Sequence, residues 1–189
     1  MPVSPSFFIV LLVPCGGTGV HRAPARVAAT CQDGHIWRMT TRYGLEIRAA
    51  TGAEAPGLAE LLAAGGHAVA PRLLADRLDA IRQGAGTALV ALEWGPPSGV
   101  IVLHWYQTLE AALPVALITT LLVAPEARRR GIGRMLVKAA AQAARVAGCG
   151  ALELAALPDQ TELEAFCRAT GFIEAGPRYQ RVLRKNATL

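Results

Sequence analysis

L-L-V-A-P-E-A-R-R-R-G-I-G-R, residues 121–134, is the stretch on which the fold turns. Its first three letters close an almost wholly apolar run, Val115 to Val123, as expected of a central strand covered on both faces. Ala124-Pro125 ends that run, since proline offers no N–H to a ladder. Arg128, Arg129, Arg130 and Arg134 then flank Gly131 and Gly133. From Gly131 to Ala147 the spacing becomes helical, with Ile132, Met135, Leu136, Ala139, Ala140, Ala143 and Val146 on one face and Arg134, Lys138, Gln142 and Arg145 on the other. A strand, an arginine- and glycine-rich turn and a helix whose first N–H groups lack intrahelical partners together form an anion cradle. The glycines let a phosphate reach the backbone, and the helix dipole adds about 0.3 to 1 kcal/mol, up to roughly 2 when partly buried. The arginines supply charge-assisted bonds. A dinucleotide fingerprint would need glycine at Leu136, and a Walker loop would need Gly-Lys-Ser/Thr; both are missing.

Outward from this segment, strand-like and helical stretches alternate. Upstream, Leu45, Ile47 and Ala49 alternate with Glu46 and Arg48, a strand with one wet face. Leu58, Leu61 and Leu62, then Leu73, Leu74, Leu78 and Ile81 after Pro71, carry helical spacing. Thr87 to Trp94 and Gly99 to Tyr106 are β-rich runs joined by Gly95-Pro96-Pro97-Ser98, a hairpin signal. Downstream, the spacing predicts a strand at Ala151 to Ala155, a helix over Thr161 to Thr170 closed by Gly171, and final strands at Phe172 to Ala175 and Tyr179 to Leu183. The order is β-α-α-β-β-β-α-β-α-β-β, a mixed α/β sheet arrangement.

Composition bounds the function. At 189 residues with 52% hydrophobic and 17% charged, the chain has the length of one domain and ample core material. No apolar run approaches the roughly 18 to 20 residues of a membrane helix. Cys15, Cys31, Cys149 and Cys167 are scattered and only four His accompany them, so neither a zinc site nor a disulfide framework is signalled, and reduced thiols in a cytoplasm are expected. The net charge is +5, yet aromatics are only 5%, which argues against a nucleic-acid partner. Residues 1–43 differ from the rest: four Arg stand against one Asp, Ser6 to Pro14 lacks the positive flank of a signal, and Gly16, Gly17 and Gly19 resemble a flexible turn. This stretch is expected to be an appended tail or an over-extended start, with the domain spanning 44–189 and Met39 opening the compact unit.

The motif Arg128-Arg129-Arg130-Gly131-Ile132-Gly133 resembles the coenzyme-binding Arg/Gln-x-x-Gly-x-Gly/Ala signature of the GNAT superfamily of acyl-CoA N-acyltransferases. Val123-Ala124-Pro125 matches the strand end that precedes it in that family, and F-C-R-A-T-G-F at Phe166 to Phe172 is close to the family's F-Y-x-x-x-G-F. The resemblance spans about three quarters of the chain, Gly44 to Leu183. It implies the GNAT fold and acetyl-CoA as co-substrate, without a metal. Leu121, Leu122 and Val123 would pair with the pantetheine arm. N–H groups from Arg129 to Arg134 would hold the pyrophosphate, and Gln160 and Phe166 would complete the coenzyme site. Val115 to Val123 and Ala151 to Ala155 would splay to admit the thioester.

Three positions depart from the family pattern. Cys167 stands where a tyrosine often serves as general acid, Gln160 where an asparagine is common, and Thr120 where a glutamate often ends the fourth strand. Glu153, Tyr106 and Tyr179 are the candidates to fill the catalytic gap, Glu153 as a base acting through water and either tyrosine as the acid; each also suits an ordinary strand position. Cys167, on an apolar helix face with no His nearby, fits an inert thiol. His67 lies in an inter-helix loop that lines the acceptor cleft in similar proteins. The resemblance implies an N-acetyltransferase acting on a primary amine of a small molecule or peptide by direct attack in a ternary complex, and leaves a homodimer open. Positioning supplies roughly 7 to 11 kcal/mol, so a lost proton-transfer group weakens such an enzyme without abolishing it. A site without a strong base favours amines of low pKa. The alternatives are a CoA-binding module without catalysis and an accessory protein that binds nucleic acid through the arginines.

Overall fold

In a computed structural model of the chain the described residues are 38–40, 44–154 and 161–176. Six strands make one sheet in sequence order: β1 (Arg38–Thr40), β2 (Glu46–Ala49), β3 (Gly86–Leu92), β4 (Gly99–Tyr106), β5 (Val115–Val123) and β6 (Ala151–Leu154). All neighbours are antiparallel except β5 and β6, which are parallel and so need the crossover helix between them. The helices are α1 (Ala55–Ala64), α2 (Pro71–Gln83), α3 (Ile132–Val146) and α4 (Thr161–Ala169). The mixed α/β order expected from the sequence is present through α4.

Local chemistry explains the boundaries. Thr51 opens the turn into α1 with a capping box: its hydroxyl accepts from the Ala53 N–H at 3.3 Å, while its own N–H donates to Glu54 at 2.6 Å. Burial alone would raise the Glu54 pKa, but Arg48, at 2.6 Å, and the Thr51 N–H and hydroxyl more than offset this, so it lies below the usual carboxylate range. Pro71 starts α2 at a position where its missing N–H costs nothing. The core lies between sheet and helices: Val90, Ala91, Ile101, Leu103, Leu136 and Ala140 are fully enclosed. On the α3 side the packing is close, since a Cβ added at Gly99 would sit 3.0 Å from Leu136 and 3.3 Å from Ile132.

Several expectations need correction. Leu73 is 46% exposed and Val146 51% exposed, although helical spacing put both on apolar faces; among the described residues no neighbouring element covers them fully. Val115 to Val123 is not covered along its whole length: only Ala116, Leu117 and Ile118 are buried. Phe172 to Ala175 forms no strand, because among the described residues its backbone has no ladder partner. The strand expected at Tyr179 to Leu183 lies outside the described residues, as do Ala155 and Gly16 to Gly19. Among the described residues the first strand is Arg38–Thr40, with Met39 paired to Ile47.

Candidate functional site

The site grows from the end of β5. Pro125–Ala127 forms a single 3-10 turn that reverses the chain, and Arg128 follows in extended backbone. Arg129 adopts φ 63° and Gly131, the residue before α3, adopts φ 83°. Two left-handed residues this close turn successive N–H groups towards one side, the arrangement of an anion nest. No side chain caps α3, and its first N–H return within the helix is Met135 to the Gly131 carbonyl at 3.1 Å. The N–H groups of Ile132, Gly133 and Arg134 therefore have no intrahelical partner. Ile132, 2% exposed, anchors the turn in the core.

Glycine is required at two places here. Left-handed φ at Gly131 strains any residue with a Cβ. At Gly133 a Cβ would lie 3.4 Å from Phe166 Cε2 and 3.7 Å from Val123 Cγ2. Phe166 on α4, the cradle and the end of β5 thus meet. Arg128, Arg129, Arg130 and Arg134 are exposed around the cradle. Arg130 is held by Glu93, at 2.9 Å, and Arg128 Nε donates to the Val123 carbonyl at 3.4 Å. Glu93 was not foreseen; it ends the β3 run, and no spacing connects it with a turn 37 residues later.

Beyond the cradle, β5 pairs with β6 only from Val115 to Ile118, and among the described residues Thr119 to Val123 lack a partner on that side. The other side of β5 carries a bulge: Leu103 pairs with Ile118 but Val102 with Thr120, so Thr119 is the extra residue. A channel for an elongated ligand along this open margin would start at the cradle, pass Val123, Leu122 and Leu121, all half-buried, and end at the two threonines.

Paired residues share a face. The register accordingly gathers Val102, His104 and Tyr106 of β4, Leu117 and Thr120 of β5, and Glu153 of β6 on the face opposite α3. The α1–α2 connection lies on this face too, for a Cβ at Gly65 would touch Leu122 at 3.1 Å. That connection carries His67, whose N–H donates to the Leu62 carbonyl at 2.8 Å. Two of the candidate catalytic residues meet here: the Tyr106 hydroxyl donates to Glu153 Oε2 at 3.3 Å. Burial first, then the Glu153 charge and the hydrogen bond, raise the Tyr106 pKa, so the phenol keeps its proton. Cys167 is half-buried with its pKa raised by burial and by Glu164, which leaves it a thiol rather than a nucleophile. Tyr179 and Gln160 lie outside the described residues. His104 was missed, although its place two residues before Tyr106 on a strand signals a shared face. Among the described residues no three His, Cys, Asp or Glu gather as a metal group.

Comparison with known proteins agrees with this fold. Residues 58–172 match the model of the acetyltransferase (GNAT) family. Among solved structures, an Agrobacterium tumefaciens str. C58 protein described as an acetyltransferase is 28% identical, with TM-score 0.64, over 72% of this chain and 98% of its own. The aminoglycoside acetyltransferase AAC(6')-Iy, in complex with the bisubstrate analogue CoA-S-monomethyl-acetylneamine, is 19% identical with TM-score 0.65, covering 74% and 98%. Glucosamine-6-phosphate N-acetyltransferase from Arabidopsis thaliana is 17% identical with TM-score 0.64, covering 74% and 99%. Comparison with the curated proteins finds no match.

Proposed function

The chain belongs to the GNAT acetyltransferase family, and from that premise we propose that it moves an acetyl group from acetyl-CoA to a primary amine of a small molecule or peptide, by direct attack with both bound. The observation that carries this reading is the uncapped, left-handed entrance to α3 beside a margin of β5 that has no strand partner among the described residues. The residues there fit the coenzyme: N–H groups from Arg129 to Arg134 for its diphosphate, exposed Arg128, Arg129 and Arg134 for further phosphate charge, and Leu121 to Val123 with Phe166 for its apolar arm. When bound, the coenzyme supplies an acetyl thioester whose thiol leaves readily, because a thiol pKa near 8.5 makes thiolate an undemanding leaving group.

On the opposite face, Glu153 is suited to hold the acceptor's ammonium, with the Tyr106 hydroxyl fixing the carboxylate. Tyr106 is opposite Val115, four residues before Thr119, which is roughly 13 Å along a strand. That distance favours a role beside the acceptor over protonation of the leaving sulfur. The absence of a glutamate at Thr120 supports acceptors of low pKa, α-amines and amino sugars, because about one in ten of these is neutral at pH 7 against one in a thousand or fewer lysine-type amines. Among the described residues no helix is long and apolar enough to cross a membrane, and the free Cys149 and Cys167 support a reducing, cytoplasmic setting.

Thiol release from acetyl-CoA in the presence of glycinamide, glucosamine, lysine and spermidine tests the proposal. Turnover, fastest with glycinamide or glucosamine, is expected. Thermal stabilisation by CoA with no turnover on any amine would leave a coenzyme-binding module in its place, and steeply salt-dependent DNA binding without a CoA effect would replace both.

A further inference from the structure

His104 has no part in the reading so far, and the structure builds a place for it. The side chain is half-buried and makes no hydrogen bond or ion pair among the described residues. It pairs with Gly86 on β3, where a Cβ would come within 2.6 Å of the Leu103 carbonyl and 3.1 Å of His104 Nδ1, so glycine there leaves room for both backbone and ring. On its other side it pairs with Leu117, which pairs in turn with Glu153. His104, Leu117 and Glu153 therefore stand in a row across three strands on one face, and Tyr106, two residues along β4, reaches Glu153 over the same face. With strands about 4.8 Å apart, the backbones of His104 and Glu153 are roughly 10 Å from each other, a span that two inward-leaning side chains can close around a small cation. The bulge at Thr119 lies immediately beyond, between the Leu103–Ile118 and Val102–Thr120 pairs, so His104 is nearer than Tyr106 to the end of the coenzyme channel.

We propose that His104 takes the proton given up by the acceptor's ammonium, while Glu153, fixed by Tyr106, holds that ammonium next to it. The inference rests on the acetyltransferase reading. A primary ammonium starts with three protons. One passes to the imidazole and from there to water. The lone pair so released forms the new N–C bond to the acetyl carbon as the C–S bond breaks. A second proton ends on the departing sulfur as thiol, and the third stays on the amide. Imidazole suits this step because it can be both neutral and basic at working pH. Burial lowers the His104 pKa from the ordinary 6.5, which keeps the ring neutral and ready to accept. The titratable groups beside it on this face are Tyr106 on its own strand and Glu153 on β6, with Glu46 and Arg48 farther along the face on β2 and His67 on the α1–α2 connection; α2 brings Ile81 to Gly86, with exposed Arg77 one turn earlier and Arg82 paired to Asp79 at 3.0 Å.

The test compares wild type with His104→Gln and His104→Asn, using whichever of glycinamide and glucosamine turns over faster. Amine kcat/KM should fall by about 10² to 10⁴-fold, with the KM for acetyl-CoA unchanged and the acidic limb of the profile moved towards the pKa of the amine. Imidazole added to His104→Ala should restore part of the rate. Variants with wild-type kcat/KM and an unmoved profile overturn the inference while the acetyltransferase reading stands. No turnover by wild type on any amine overturns both. Should the variants misfold, the ring resonances of His104 in wild type decide: they should shift when the amine joins the CoA-bound protein, and fixed resonances contradict the proposal.

Discussion

Single residues carry much of this account. Gly131 is held at φ 83°, so Gly131→Ala should cost about 1 to 2 kcal/mol of stability and twist the cradle's N–H groups out of line. A fall in Tm together with weaker acetyl-CoA binding by calorimetry is the expected result; unchanged affinity would mean that the left-handed turn does not hold the diphosphate. His104 makes a second prediction, with a definite sign. Its folded pKa lies below 6.5, so its share of stability is complete above that pH and is lost as pH falls through the folded value. Between about pH 7 and about pH 5 the Tm of wild type should therefore drop more than that of His104→Gln; equal slopes would show the ring to be ordinarily solvated. Tyr106 runs the other way: its raised pKa gives stability that is present below 10.0 and lost as pH rises beyond it.

At the scale of elements, α3 joins the core to the site. Leu136 is completely buried beneath Gly99, and Leu136→Ala should cost about 2 to 5 kcal/mol, read by urea unfolding. A cost well under 1 kcal/mol would mean that the helix is not seated as described. This helix was plain in the sequence, because an apolar stripe at helical spacing, two glycines before it and Gly148 after it all point to one outcome. The hairpin and β5 were equally plain, from turn residues and an unbroken apolar run. The open margin of β5 came only from the family resemblance, which implied that Val115 to Val123 and Ala151 to Ala155 splay; Leu121, Leu122 and Val123 by themselves look the same in sequence whether or not a neighbouring strand covers them. The Thr119 bulge left no mark either, as an extra residue in a ladder is defined only by its partner strand. Glu93 holding Arg130 and Tyr106 meeting Glu153 are contacts across the sheet, which spacing along the chain does not encode.

At the scale of the whole molecule, the proposed function divides two tasks between the sides of one sheet: the α3 and α4 side and the end of β5 would hold a diphosphate, and the opposite face, which carries Glu153, Tyr106 and His104, would receive an amine. We propose that residues 1–37 take no part in either. A chain beginning at Arg38, which keeps β1 in the sheet, should unfold at the same temperature and bind acetyl-CoA as well as the full chain; an unfolded product would assign that segment a structural role. The most direct test of the central claim is calorimetric titration of the full chain with acetyl-CoA. The account predicts saturable binding at one site per chain, weakened at least tenfold by Gly131→Val. The absence of heat, or equal affinity in wild type and variant, would contradict it.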